Sequence, residues 1–337
     1  MIRLETGFTP QARQGAVGQQ IADLQNRLTR VGQETATGRF ADPAAELAGR
    51  TREALVTEDR LARLSTIMET IILSENRADA QQAALASVDE AIADVLEAAK
   101  TALSSGLETG LQTLGTSARQ AVASAVGALN MTFAGRGLFS GDELGPALSQ
   151  ADAILTAAET AFSTGGTPQA GLEAVNAIFD TPGGDFDTSL YVGGTGSPPG
   201  VELDTGEALS MDLRADSPSI RSALRDLVAM STVADPELSL SGSERRDLAE
   251  NALDALRTSK DALATTLGEI GVAQSRIDDA ATRISAEQTA LTKALDGLTG
   301  RDKADAATEF ANIQNQLDAL FLTTSRIAQL SLSNYLR

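Results

Sequence analysis

The chain has 337 residues, 42% of them hydrophobic, and a formal net charge of −19, without a single Cys, His or Trp. That charge repels phosphate backbones and anionic lipid, so neither nucleic acid nor a membrane is an expected partner. The missing thiols and imidazoles remove disulfides, thiolate nucleophiles, Cys/His metal sites and the commonest general base near neutral pH. Aromatic residues are 3% of the chain, so its apolar surface is aliphatic and suits thin helix contacts rather than a thick core.

No run approaches the roughly 18 apolar residues of a membrane-spanning helix. The first twenty residues lack the apolar stretch of roughly 7–15 residues that a cleaved secretory signal needs. The expectation is a chain that stays in the cytoplasm or leaves by another route. Val17, Ile21, Leu24, Leu28 and Val31 then fall on one helical face, at alternating four- and three-residue steps. Gly38 and Pro43 interrupt the stripe. Residues 44–104 read as one helix of roughly 60 residues, about 90 Å long, with a change of register near residues 76–80.

Between residues 142 and 240 lie seven of the nine prolines, with sixteen acidic residues against three basic ones. This segment is expected to be a separate, acidic, mixed module. Residues 148–162, 170–178 and 219–230 have helical patterns, and 190–192, 201–203 and 209–213 are alternating runs that read as exposed strands.

Beyond it, Leu256, Leu263, Ile270, Ile277, Ile284, Leu291 and Leu298 recur at every seventh position, a sustained heptad. The companion positions, Ser259, Thr266, Ala273, Ala280, Glu287 and Ala294, are mostly small. Phe310, Ile313, Leu317, Leu320, Thr324 and Ile327 open a second periodic helix. Neither terminal helix can bury its stripe alone. The stripes pack together in a coiled coil or face another subunit, and the pattern leaves both open.

The fold class expected is mainly α: long antiparallel helices from both chain ends form a coiled-coil or bundle rod, with a small mixed α/β middle domain. The expected division is terminal helices at 1–40 and 302–337, a long-helix region at 41–141 and 241–301, and an outer domain at 142–240. Gly135-Arg136-Gly137 and Gly193-Gly194-Thr195-Gly196 read as turns rather than phosphate loops, because neither links a strand to a helix with a suitable Lys. Asp278-Asp279 and the Asp185/Asp187 pair read as solvated carboxylates, and no Asp-x-Asp-x-Asp-Gly calcium loop is present. No catalytic, cofactor-binding or metal residue is expected.

The end motifs are familiar. Leu24-Gln25-Asn26-Arg27-Leu28, Ala36-Thr37-Gly38-Arg39 and Asp42-Pro43-Ala44 resemble the N-terminal run of the bacterial flagellin superfamily. Ala36 stands where the family has Ser, and one Asp rather than two precedes Pro43. Asn312-Ile313-Gln314-Asn315-Gln316-Leu317 and Ser331-Leu332-Ser333-Asn334-Tyr335-Leu336 are similar to its C-terminal helix. Asn130, followed by Gly135, Gly137, Leu138, Phe139 and Gly141, resembles the signature of the superfamily's hook–filament junction branch, with Leu138 where Tyr is common.

The resemblance implies a structural, non-catalytic flagellar protein without cofactors. It would be exported without a cleaved signal through the flagellar type III apparatus, carried by a chaperone, and assembled outside the cell in a ring with copies of itself. A neighbouring hook-associated protein and flagellin would adjoin it. The alternatives carried beside it are a filament-forming flagellin, a cytoplasmic coiled-coil scaffold and, last, an enzyme.

Overall fold

The computed structural model describes residues 10–47, 49–197, 200–204, 207–210, 212–235, 238 and 240–335. The α-helices are α1 (Pro10–Thr37), α2 (Pro43–Glu46), α3 (Thr51–Ser105), α4 (Glu108–Leu129), α5 (Ala151–Thr164), α6 (Pro168–Asp180), α7 (Pro218–Val233), α8 (Gly242–Thr299) and α9 (Lys303–Tyr335). Two antiparallel two-stranded ribbons complete it: β1 (Thr132–Phe133) with β2 (Arg136–Gly137), and β3 (Val201–Asp204) with β4 (Glu207–Leu209). The chain is thus mainly α with a small β-containing region. No described helix is long and apolar enough to cross a membrane.

Local chemistry sets the helix ends. Gly38 (φ +73°) and Gly106 (φ +65°) follow α1 and α3 in the left-handed conformation that ends helices and favours glycine. Ser241 and Glu244 form a capping box at the start of α8, where the Glu244 N–H donates to the Ser241 hydroxyl and the Ser241 N–H to the Glu244 carboxylate. The Ser241 hydroxyl also donates to that carboxylate, and this bond, followed by the one from the Ser241 N–H, holds the Glu244 carboxyl below its ordinary pKa. Asp302 caps α9 by accepting from the Ala304 N–H at 2.7 Å.

The chain divides into two compact units, residues 1–65 with 285–337, and residues 66–284. In the first, α1 and α9 bury Leu24 and Val31 against Ile313 and Leu317, flanked by Ile21, Leu28, Phe310 and Leu320. A second cluster joins Leu47 and Ala54 to Leu295, with Leu61 and Leu298 beside them.

In the second unit a large core draws on α3 through α8. Leu85, Ile92, Leu114, Val122, Phe139, Phe179, Phe186, Val228 and Leu256 all belong to it, and each such side chain stabilises by roughly 1.5–3 kcal/mol when fully buried. The middle segment therefore shares its apolar side chains with the long helices. Phe186 meets Phe179 at a tilt of 41° (5.3 Å between centroids), and the Arg221 guanidinium lies 4.5 Å over the Phe186 ring.

Several expectations need correction. The single helix over 44–104 is broken: α2 ends at Glu46 and α3 starts at Thr51, with Gly49 at φ +97° between them. The register change near residues 76–80 is absent. Leu64, Ile71, Ala78, Leu85, Ile92 and Ala99 are buried at every seventh position of α3, so the heptad continues through a small residue. Ser74 and Gln81 hold companion positions and are buried too.

Residues 190–192 are not a strand. Leu190 closes a π-helical turn, Phe186–Leu190, in which the Tyr191 N–H donates to the Phe186 carbonyl at 2.7 Å, because Phe186 and Leu190 both turn into the core. The run 209–213 leaves its ladder after Leu209. Asp212 instead accepts from the Ser197 hydroxyl at 2.7 Å. Helix α4, unexpected from the sequence, packs against α7.

Candidate assembly interface

The seam of α1 and α9 is closed at one end by a polar clamp built from the Ala36–Arg39 motif and the α8–α9 turn. The Phe40 N–H donates to the Thr299 carbonyl at 3.0 Å, and the Arg301 N–H donates to the Gly38 carbonyl at 2.9 Å. Arg39 and Gly300 form an isolated antiparallel bridge, and the Arg39 guanidinium meets Asp296 at 3.0 Å. Gly38 is favoured by its positive φ, whereas a Cβ there would displace only the flexible end of the Lys303 side chain.

Within the clamp, the Arg301 guanidinium pairs with both Glu34 and Glu309 and lies 5.8 Å from the centre of the Phe40 ring. Arg27 reaches Glu309 at 3.0 Å. Glu34 is 4% exposed at its side chain and also accepts the Ala41 N–H at 3.1 Å. The guanidinium of Arg301, and then that of Arg27, holds the Glu309 carboxyl below its ordinary pKa. A buried charge is tolerated here because each carboxylate has a partner in reach.

The heptad of α8 lies where its period requires as far as Ile284: Leu256, Leu263, Ile270, Ile277 and Ile284 are all buried. Leu291 and Leu298 are half-buried, and the buried positions pass to Leu295 and Thr299. The companion position changes its step from three to four residues there, and Glu287 pairs with Arg60 at 2.8 Å instead of entering a seam. On α1 and α9, Val17 is half-buried. Ile327 and Tyr335 lie in α9, but their side chains, and Leu336 altogether, fall outside the described residues, as does the side chain of Pro43 at the start of α2.

The glycine-rich signature forms a second constellation, in the other unit. Asn130 pins the chain, donating to the Leu148 carbonyl at 3.0 Å and accepting the Leu148 N–H at 2.8 Å. Gly135 (φ +79°) turns the β1–β2 ribbon. Leu138 and Phe139 are fully buried, and the Gln81 amide donates to the Leu138 carbonyl at 2.9 Å. At Gly137 a Cβ would meet Ser140 Oγ at 2.3 Å and the Gly145 carbonyl at 2.5 Å. Gly141 (φ +65°) is as tightly placed, with the Gly194 carbonyl 2.6 Å from where a Cβ would be.

The Gly193–Gly196 run is a turn wrapped on the carboxylate of Asp142. The Gly196 N–H donates to the Asp142 carboxylate at 2.9 Å, and the Tyr191 hydroxyl donates to the Gly194 carbonyl at 2.7 Å. Burial is the largest cause that pushes the Tyr191 hydroxyl pKa up to about 12, with the Asp216 charge adding to it.

Comparison with known proteins completes the picture. Residues 251–336 match the family model for the bacterial flagellin C-terminal helical region. That region comprises most of α8 and all of α9, so it contains the heptad, the α8–α9 turn and the α9 half of the clamp.

The fold is similar to that of FlgL from Bacillus cereus, with 17% identity and a TM-score of 0.52 over 72% of this chain and 99% of that one. It is likewise similar to a structure assigned as a flagellar hook-associated protein from Vibrio parahaemolyticus, with 15% identity and a TM-score of 0.53 over 74% and 97%. No curated protein matches by sequence. The resemblance drawn from the end motifs is borne out by these matches.

Sequence reasoning missed Glu34, Phe40, Arg301 and Glu309. The one available signal was the pair of charges flanking two glycine turns, Glu34 before Gly38 and Arg301 after Gly300.

Proposed function

We propose that the chain is a structural component of the bacterial flagellum, a hook-associated protein that joins hook to filament without catalysis. One observation carries the reading: the flagellin-type C-terminal region supplies the helix α9 that pairs with α1. The likeness in fold to FlgL and to the Vibrio hook-associated protein supports the junction over other flagellar roles.

In this reading the terminal helices, 1–40 and 302–337, are the innermost assembly elements, and 41–141 with 241–301 form the next layer. The acidic segment 142–240 faces outward. The partners are copies of the chain in a ring, an adjoining hook-associated protein, flagellin, an export chaperone and the type III export apparatus. The location is the extracellular flagellum. Helices whose stripe is covered mainly by another terminal helix gain order on assembly.

Immunogold microscopy of intact flagella with antibody to residues 142–240 tests the proposal. A band of label confined to the hook–filament boundary is the expected result; label absent from flagella overturns it. The match to a flagellin region favours a second reading, a filament-forming flagellin, which label along the whole filament would support.

A further inference from the structure

Two cations of the second unit lack a counter-charge. Arg77 of α3 turns toward the β1–β2 ribbon, where its Nη2 lies 3.3 Å from the carbonyls of both Gly137 and Leu138. Arg136, in that ribbon, reaches the Asp142 carbonyl at 3.1 Å. Both residues are half-buried, and neither forms an ion pair among the described residues. Burial first, and the charge of Arg136 second, lower the Arg77 pKa. The carboxylates nearby are committed elsewhere, Asp142 to the Gly196 N–H and Asp79 to the Gln274 amide. No remaining nitrogen of either arginine is a buried atom without a partner, so both guanidinium edges are open to solvent. In a chain of net charge −19, two adjoining guanidiniums without a carboxylate call for an acceptor from outside.

Their surroundings are apolar and uncovered. Leu73, one turn before Arg77 on the same face of α3, is 54% exposed. Met131, whose carbonyl accepts the Leu138 N–H, is 47% exposed. Arginine beside exposed Leu and Met is the composition of a protein-binding face, and a free anion makes no use of the apolar side chains. The same unit carries a complementary surface. Along α5 runs a shallow groove of about 730 Å³, lined by Ala153, Thr156, Ala157, Thr160 and Ala161. Asp152 and Asp185 line it too, both exposed and without an ion pair among the described residues.

We propose that the face of Arg77 and Arg136 in one copy docks on the α5 groove of a second copy, with Leu73 and Met131 on the small residues and the two guanidiniums on Asp152 and Asp185. The two patches differ, so the contact is heterologous and repeats from copy to copy, as a closed ring requires. The inference rests on the reading of the chain as a ring subunit and names one contact for it; failure of the contact leaves the immunogold test of that reading untouched.

The chain has no Cys, which makes disulfide trapping specific. Full-length Met131→Cys and Thr160→Cys chains, each changed at an exposed position, are prepared separately, mixed and oxidised with copper phenanthroline. Mixed dimers are expected to exceed like-with-like dimers severalfold. Arg136→Glu added to the Met131→Cys chain is expected to slow their formation about tenfold, the equivalent of about 1.4 kcal/mol. Asp185→Arg in the Thr160→Cys chain is expected to restore it. If Arg136→Glu does not fold, Asp152→Asn with Asp185→Asn in the Thr160→Cys chain, both exposed changes, is expected to give the same loss.

Mixed dimers no more abundant than random pairing overturn the proposal, as do mixed dimers indifferent to every charge change. Predominance of dimers between two Met131→Cys chains overturns it as well, because the face then meets its own kind instead of the α5 groove.

Discussion

Replacing Glu34 by Ala isolates the contribution of the clamp. The carboxylate is 4% exposed and its partner Arg301 17%, so the change leaves a largely buried guanidinium and removes the acceptor of the Ala41 N–H. Breaking a buried ion pair from one side costs roughly 3–5 kcal/mol. Arg301 keeps Glu309 as a second partner, which places the expected loss near the lower bound, about 3 kcal/mol, or a factor of about 150 in an opening equilibrium.

Native-state hydrogen exchange reads this locally. Amides of α1 around Leu24 and of α9 around Ile313 are expected to lose protection by about that factor in Glu34→Ala. Arg27→Ala removes a pair that is 50% exposed at the arginine, so it is expected to cost at most about 1 kcal/mol, roughly fivefold. Equal losses in the two variants, or a Glu34→Ala loss below about fivefold, would refute the argument that burial makes this pair matter. The Glu309 carboxyl adds a pH signature. Its pKa is depressed by Arg301 and then Arg27, so its contribution is present above the unfolded value and is lost as pH falls through the lower folded value.

Other consequences are separable. Ile277→Ala is expected to lower stability by about 2–5 kcal/mol, and Leu291→Ala by clearly less, because the buried positions pass to Leu295 and Thr299 beyond Ile284. Chemical denaturation compares the two, and equal costs would contradict the change of step. Gly137→Ala drives a Cβ into Ser140 Oγ and the Gly145 carbonyl, and is expected to cost about 1–3 kcal/mol in the same assay. Tyr191 is expected to ionise near pH 12. Because its folded pKa is raised, its stabilising contribution is complete below the unfolded value of about 10 and is lost as pH rises toward the folded one. Absorbance of tyrosinate in Tyr335→Phe, which leaves Tyr191 as the one tyrosine, checks this.

What the sequence disclosed depends on the size of the residue at each core position. The α8 heptad is visible because Leu and Ile occupy it without a gap. The equally regular seam of α3 is concealed where Ala78, Ser74 and Gln81 hold core positions, since hydropathy gives small and polar residues no core signal. Helix α4 carries Gly and Ala where bulky residues would advertise a stripe.

The π-helical turn at Phe186–Leu190 looks like a strand end because its apolar spacing does not distinguish the two. In the candidate interface, the stripes of α1 and α9 were legible residue by residue. The clamp was not, because Glu34 and Arg301 are 267 positions apart and no local pattern relates them.

That separation also bears on the order of folding. The contact of Arg27 with Glu309 joins positions 282 apart, and closing so long a disordered loop is slow and entropically unfavourable. Residues 66–284 provide a shorter route, because contacts such as Gln274 with Asp79 (2.7 Å) draw the two strands of the chain together before the ends meet. Helix α1 therefore waits for α9, which is synthesised after it, and a ribosome pausing anywhere between the two holds α1 without its partner.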